Sequence, residues 1–295
     1  MTATTTISRV TVLGLGLLGA EVALRLTRQG FAVTGWNRTA NKIQALAGQG
    51  ITLAATPAAA MAEAEVTLLL LSDAAAIEAS LFATEPAPVL SGQTVVQMGT
   101  IAPEESRQLA QRVTEAGGDY LEAPVLGSLP EAHSGRLILM AGGDQALFER
   151  YQPLFQALSG HPQRIGAVGQ AAALKLAMNQ LIGGLTACFS LSLGLVRAEG
   201  IDVESFMGLL RASALYAPTF DKKLDNYLNH DYAQANFPFK HLLKDIELFR
   251  RVAEPLGLDS APLAALAAAG ERGLVNGLGE ADYSALYETL VARDA

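Results

Sequence analysis

The chain has 295 residues, half of them hydrophobic, a formal net charge of −8 and no long basic run. Such a length holds two domains or one large one with a sizeable core, and the charge argues against nucleic acid as a partner. A single cysteine, Cys188, excludes an intramolecular disulfide and fits a reducing compartment. Its place in an apolar stretch makes it a core residue rather than a nucleophile. Met1 to Arg9 lacks the basic start and apolar centre of a secretion signal, so a cytosolic location is expected.

Val10 to Leu13 reads as a buried strand that runs straight into Gly14-Leu15-Gly16-Leu17-Leu18-Gly19. An amphipathic helix follows from Ala20 to Gln29, ending at Gly30, and Phe31 to Trp36 is the next strand. Strand, glycine loop, helix, strand is the setting in which G-x-G-x-x-G binds a dinucleotide. Gly14 permits the tight turn, Gly16 lets the backbone approach a pyrophosphate, and Gly19 lets helix and strand pack closely. The helix start adds free N–H groups and partial positive charge for the phosphates. NAD binders place a carboxylate at the end of the second strand, where a 2′-phosphate would be repelled. Here the residues are Asn37-Arg38-Thr39, with no acid. Asn37 and Thr39 donate hydrogen bonds and Arg38 meets a phosphate in a charge-assisted fork, so the cofactor read is NADP.

The alternation continues with a helix over Thr39 to Gln49, a strand at Ile51 to Leu53 and a brief helix over Pro57 to Ala64. Val66 to Leu71 is an apolar strand ending at Ser72-Asp73, and Thr94 to Met98 is another, followed by Gly99-Thr100 and a helix opened by Pro103. Strand ends on the carboxyl side of a parallel sheet are where ligands lie. Thr100 therefore faces two readings, ligand contact or helix cap. Tyr120 to Ala123 is strand-like and leads into Pro124-Val125-Leu126-Gly127-Ser128, whose small residues let backbone N–H groups approach an anion. Arg136 to Ala141 closes the sheet and Ala146 to Leu158 is a helix.

After Gly166 helices take over, which sets a boundary between a nucleotide-binding domain, 1–165, and an all-helical domain, 166–295. Between Lys175 and Arg197 the stretch Gly169 to Glu199 carries no charge, long enough to suggest a bilayer span. Its Asn179, Gln180, Thr186, Ser190 and Ser192 would find no partners in lipid, so the reading is a helix buried on most sides in a soluble protein. Lys175 and Asn179 lie four apart on one face, and an ammonium at the edge of so apolar an element needs a partner or a task. Further helices are read over Asp202 to Leu210 and Pro218 to Leu228, then one opened by Phe237 to Asp245 and continuing to Leu256, then over Ser260 to Arg272 and Ser284 to Val291. Their apolar, alanine-rich character suggests a homo-oligomer, dimer or tetramer. The four histidines show no ligand spacing and no Gly-x-Ser-x-Gly elbow occurs, so neither a metal site nor serine hydrolysis has support.

Gly14 to Gly19, Asn37-Arg38-Thr39, Gly99 to Pro103, Glu122 to Ser128, Gly169 to Asn179 and Phe237 to Asp245 together resemble the β-hydroxyacid dehydrogenase family over essentially the whole chain. Within it the similarity is to NADPH-dependent glyoxylate/succinic semialdehyde reductases. The resemblance implies a Rossmann domain and a helical C-terminal domain linked by the long helix, with the active site in the cleft between them. It implies reduction of a small carboxylate-bearing aldehyde, with Lys175 as proton donor and Asn179 as its companion. Thr100, Gly127, Ser128, Phe237 and Asp245 would bind substrate. The cofactor contacts would be Gly14, Gly16, Leu17, Leu18, Gly19, Asn37, Arg38, Thr39, Ser72, Thr100 and Lys244. Two departures stand out: Gly99-Thr100 where members have Ser-Thr, and Leu126 in place of the substrate-binding serine. Rival readings are an imine reductase on the same scaffold, whose members generally lack the lysine, and a non-catalytic NADP-binding sensor.

Overall fold

The computed structural model describes residues 7–39 and 44–291, and the chain divides into two compact units, Met1–Lys175 and Leu176–Ala295. In the first unit nine strands make one sheet: β1 (Arg9–Leu13), β2 (Ala32–Trp36), β3 (Ile51–Leu53), β4 (Val66–Leu69), β5 (Thr94–Gln97), β6 (Asp119–Glu122), β7 (Val125–Leu126), β8 (Ile138–Gly143) and β9 (Gln163–Gly166). Their order is β3-β2-β1-β4-β5-β6-β8-β7, with β9 on β8. The run from β3 to β6 is parallel and every residue of β4 and β5 is buried, as in a parallel sheet covered on both faces, which explains why β4 read as an apolar segment. Chain order reverses between β1 and β4, so the connections after these strands leave in opposite directions and open a crevice at their carboxyl ends. This is a Rossmann arrangement.

Several boundaries differ from the sequence reading. The first helix starts at Leu17, directly after Gly16, and runs to Arg28. Of the helix expected over Thr39 to Gln49, residues 40–43 lie outside the described residues, and 44–46 form a single 3₁₀ turn. The segment Arg136 to Ala141 does not close the sheet: β8 sits between β6 and β7, antiparallel to both, and pairs with β9 on a further side. Strand β9 is short and mostly exposed, so it carried no hydrophobic signal. The helix read over Ala146 to Leu158 breaks at Tyr151 into Gln145–Arg150 and Gln152–Leu158. Pro153 starts the second piece, and the fully buried Tyr151 is tied by its hydroxyl to Thr94 Oγ1 at 2.8 Å.

The second unit is helical. The long helix Gln170–Ala198 begins in the first unit and continues into it, followed by Val203–Arg211, Pro218–Asn229, Phe239–Ala253 and Ala261–Val275. Its core gathers Phe189, Met207, Phe220, Tyr227, Phe239 and Leu242, with the Phe189 and Phe220 rings stacked at 4.5 Å. Close packing sets the glycines of the long helix: a Cβ on Gly183 would lie 3.0 Å from both Ile246 and Leu266. The other face corrects the expectation of burial on most sides. Met178, Leu181, Leu185, Cys188, Leu191 and Leu195 are all exposed, Leu195 by 63%. Cys188 is therefore not a core residue. Its neighbours at spacings of three and four share its stripe, which composition alone does not separate from the buried one.

Candidate functional site

Four of the segments that sequence placed near a ligand, at Gly14, Asn37, Ser72 and Thr100, follow the carboxyl ends of the parallel strands β1, β2, β4 and β5. After β1 the chain turns at Gly14, whose N–H donates to Trp36 O at 2.8 Å and whose φ of +98° favours glycine. A Cβ there would sit 2.7 Å from the Leu70 carbonyl carbon. One on Gly19 would collide with the Gly14 carbonyl oxygen, so these two glycines are demanded by the fold. Gly16 is not. Its φ of −72° and ψ of −165° suit any residue, and a Cβ on it would meet nothing within 4 Å. The helix Leu17–Arg28 that it caps has no side-chain cap and no acid in its first turn, and Leu17 is 51% exposed. Open N–H groups, a positive helix end and a glycine without an internal reason together fit a pyrophosphate.

The remaining positions on this unit follow other strands of the sheet. Arg38 and Thr39 are exposed beyond β2, and Asn37 Nδ2 donates to Thr39 O at 3.0 Å, shaping the turn. Ser72, beyond β4, is exposed and donates to Asp73, the cap of the helix Ala74–Phe82. Thr100 is half-buried after β5, and the cap of the helix Pro103–Glu115 is Ala102, so Thr100 is not that cap. The family's serine is absent at Gly99 for a local reason: a Cβ would stand 2.6 Å from Leu71 O. Leu126 ends β7, half-buried, and Gly127 has φ of +121°. Ser128 directs both its N–H and its hydroxyl to Glu131 Oε2, each at 2.7 Å.

Lys175 stands six residues into the long helix and is 9% exposed. One turn on, Asn179 is 2% exposed, and its Nδ2 donates to Asp245 Oδ2 at 2.6 Å. Because a carboxylate only accepts, this bond fixes the amide's orientation and leaves Asn179 Oδ1 as a buried acceptor with no donor among the described residues. Lys244 Nζ lies 2.9 Å from Asp245 Oδ1. Asn179 is thus brought to the adjacent Lys244 and Asp245 from 66 residues away. Phe237 precedes the helix Phe239–Ala253, packing against Tyr283 at 6.0 Å and His241 at 6.4 Å. Burial, with Lys244 and Lys240 nearby, holds the His241 imidazole below its usual range.

Three buried charged groups were missed. Glu122, at the end of β6, accepts backbone N–H groups from the start of the long helix. The signal was an acid ending an apolar strand, which burial does not tolerate unpaired. Lys223 pairs with Asp282 at 2.8 Å, their side chains 4% and 0% exposed. Nothing local in the sequence points from one to the other.

Residues 9–169 match the model for the NAD binding domain of 6-phosphogluconate dehydrogenase, and residues 169–290 that for the NAD-binding region of NADP-dependent 3-hydroxyisobutyrate dehydrogenase. The chain belongs to the β-hydroxyacid dehydrogenase family. Glyoxylate/succinic semialdehyde reductase 1 of Arabidopsis thaliana is 32% identical to this β-hydroxyacid dehydrogenase over 94% of the chain and 96% of that protein. The crystal structure of 3-hydroxyisobutyrate dehydrogenase from Salmonella typhimurium has the same fold, with a TM-score of 0.85 at 22% identity over 95% of this chain and 99% of that one. A reductive aminase from Aspergillus terreus, solved with NADPH and ethyl levulinate, has a TM-score of 0.65 at 27% identity over 95% and 98% of the two chains. The protein is an NAD(P)-dependent oxidoreductase of the hydroxyacid dehydrogenase type.

Proposed function

We propose that this β-hydroxyacid dehydrogenase reduces a small aldehyde bearing a carboxylate, glyoxylate or succinic semialdehyde, to the hydroxyacid with NADPH. The observation that carries the reading is the buried pair on one helix face, Lys175 followed one turn later by an Asn179 whose orientation Asp245 dictates. The Arabidopsis relative, a glyoxylate/succinic semialdehyde reductase, supports the substrate class. Bound NADPH supplies a hydride to the carbonyl carbon. The Lys175 ammonium polarises the carbonyl and gives its oxygen the proton, which solvent later replaces. Asn179 Oδ1 accepts from the lysine or from the new hydroxyl, the role for which its buried acceptor is free. Glu131 already takes both donors of Ser128, so Thr100 carries the larger share of the carboxylate grip, with the backbone at Gly127, which follows β7, beside Ser128 in sequence order. Arg38, exposed beyond β2 with no acid beside it, favours the 2′-phosphate of NADPH.

Lys175→Ala should cut kcat about 10²-fold or more, in line with loss of a general acid, while NADPH binding stays within about threefold. Retained turnover would remove the lysine from the mechanism. A second reading, reduction of imines, draws on the similarity to the Aspergillus terreus reductive aminase. Parallel assays of glyoxylate, succinic semialdehyde and a cyclic imine with NADPH separate the two. The proposal includes a homo-oligomer formed through the exposed stripe of the long helix, where Met178, Leu181, Leu185, Cys188 and Leu195 recur at spacings of a packing seam. A monomeric mass by light scattering would count against it.

A further inference from the structure

Glu122 is buried where β6 meets the start of the long helix. Its Oε1 accepts the N–H groups of Gly169 at 2.9 Å, Ala171 at 2.8 Å and Ala172 at 3.2 Å. Its Oε2 accepts the Ser106 hydroxyl, which is joined at 2.8 Å to the Tyr120 hydroxyl, and burial pushes that phenol above its usual range. The neighbouring strand is shaped around this carboxylate. Glu122 pairs with Gly142 of β8, where a Cβ would collide with Oε1 and lie 2.9 Å from Cγ. Three of the amides that a helix start leaves unsatisfied, or that lead into it, are therefore held by one side chain anchored on the sheet.

We propose that Glu122 is a positioning residue for Lys175. It fixes the height and rotation of the first helical turn, and through it the place of the ammonium. Ala171 and Lys175 are four residues apart, so the lysine rides on the face that Glu122 grips, about 6 Å further along the axis. A helix rotation of ~20° swings a lysine nitrogen ~8 Å from the axis through roughly 3 Å. Misplacement of about 1 Å at a reacting centre is enough to cost on the order of 10²-fold in rate. The inference rests on the reading of Lys175 as proton donor.

Glu122→Asp keeps the charge but draws the carboxylate back by one methylene, about 1.5 Å. Its kcat with glyoxylate or succinic semialdehyde should fall about 10- to 100-fold, with NADPH affinity and thermal midpoint nearly unchanged. Glu122→Gln keeps the length and the accepting oxygen, and should restore most of the turnover lost in the aspartate variant. In the cofactor-free protein, amide exchange over residues 169–172 should be faster in the aspartate variant than in the parent. Should the aspartate variant fail to fold, Ser106→Ala frees one carboxylate oxygen and should lower kcat by about threefold or more at unchanged NADPH affinity. Parental kcat in the aspartate variant, in the face of an inactive Lys175→Ala, overturns this inference alone. A glutamine variant that loses as much turnover as the aspartate variant overturns it too, since keeping the side-chain length would then not keep the lysine in place. An active Lys175→Ala overturns the lysine reading and this inference with it.

Discussion

Gly16→Ala separates a glycine needed by the chain from one needed by its ligand. The backbone at this position has φ −72° and ψ −165°, open to any L residue, and the added methyl would meet nothing within 4 Å. The folded protein should therefore lose only the difference between glycine and alanine as a helix cap, about 1 kcal/mol or less. For a chain of this length that is a shift in thermal midpoint of roughly 2–4 °C at most. A dinucleotide whose phosphates approach this backbone meets the methyl directly, and overpacking of that kind costs about 1–3 kcal/mol. The corresponding weakening of NADPH binding is roughly 5- to 150-fold. Titration by nicotinamide fluorescence gives the affinity and a thermal melt gives the stability. Gly19→Ala is the control with the opposite signature: its Cβ collides with the Gly14 carbonyl oxygen, so stability and binding should fall together. Parental NADPH affinity in Gly16→Ala would show that the phosphates do not pass over this residue.

Arg38→Ala should lower the ratio of kcat/KM for NADPH over NADH by about 10- to 100-fold, the worth of a charge-assisted hydrogen bond to the 2′-phosphate; an unchanged ratio removes Arg38 from cofactor choice. Lys223→Met leaves the Asp282 carboxylate buried with Asn236 N–H and the Ser284 N–H and hydroxyl as its donors among the described residues, and should cost about 3 kcal/mol in denaturant unfolding. A loss under about 1 kcal/mol would class the pair with exposed ones. His241, held below its usual range mainly by burial, stays neutral in the folded chain at pH values where the unfolded chain takes up a proton. Its contribution is thus complete above about pH 6.5 and is lost as the pH falls toward the folded value. Denaturation midpoints at about pH 7.5 and about pH 5.5 should differ less in His241→Gln than in the parent.

How far the fold was legible depended on whether a signal was local. The strands β1 and β4 were legible because a buried parallel strand writes a mostly apolar run, and the helices because start signals such as the cap Asp202 and the first-turn Pro218 sit at their beginnings. Strand β9, exposed through most of its length, was not. Nor was the break at Tyr151, where a hydroxyl contact to Thr94, 57 residues away, helps fix a phenol in the core. The long helix misled in a different manner. Its composition gave the right element and the wrong burial, because leucines at 181, 185, 191 and 195 look the same whether the face beside them is the core or the surface.

The candidate site divides along the same line, and its two helix starts show why. Gly16 precedes one helix and Gly169 the other, and in the structure each follows a strand. Backbone chemistry makes each an equally good anion seat. What distinguishes them is long-range. At Gly16 no side chain among the described residues caps the helix. At Gly169 the seat is taken by Glu122, delivered by β6 from 47 residues earlier. A motif such as G-x-G-x-x-G carries its meaning because its geometry is contained in six neighbouring residues. The carboxylate that fills the second seat has no such neighbourhood, and only the sheet that brings β6 and β8 side by side turns an acid, a glycine and a helix start into one device. The first helix start is therefore open to receive phosphate from outside, while the second is closed by the protein itself, and the lysine is carried on the closed one.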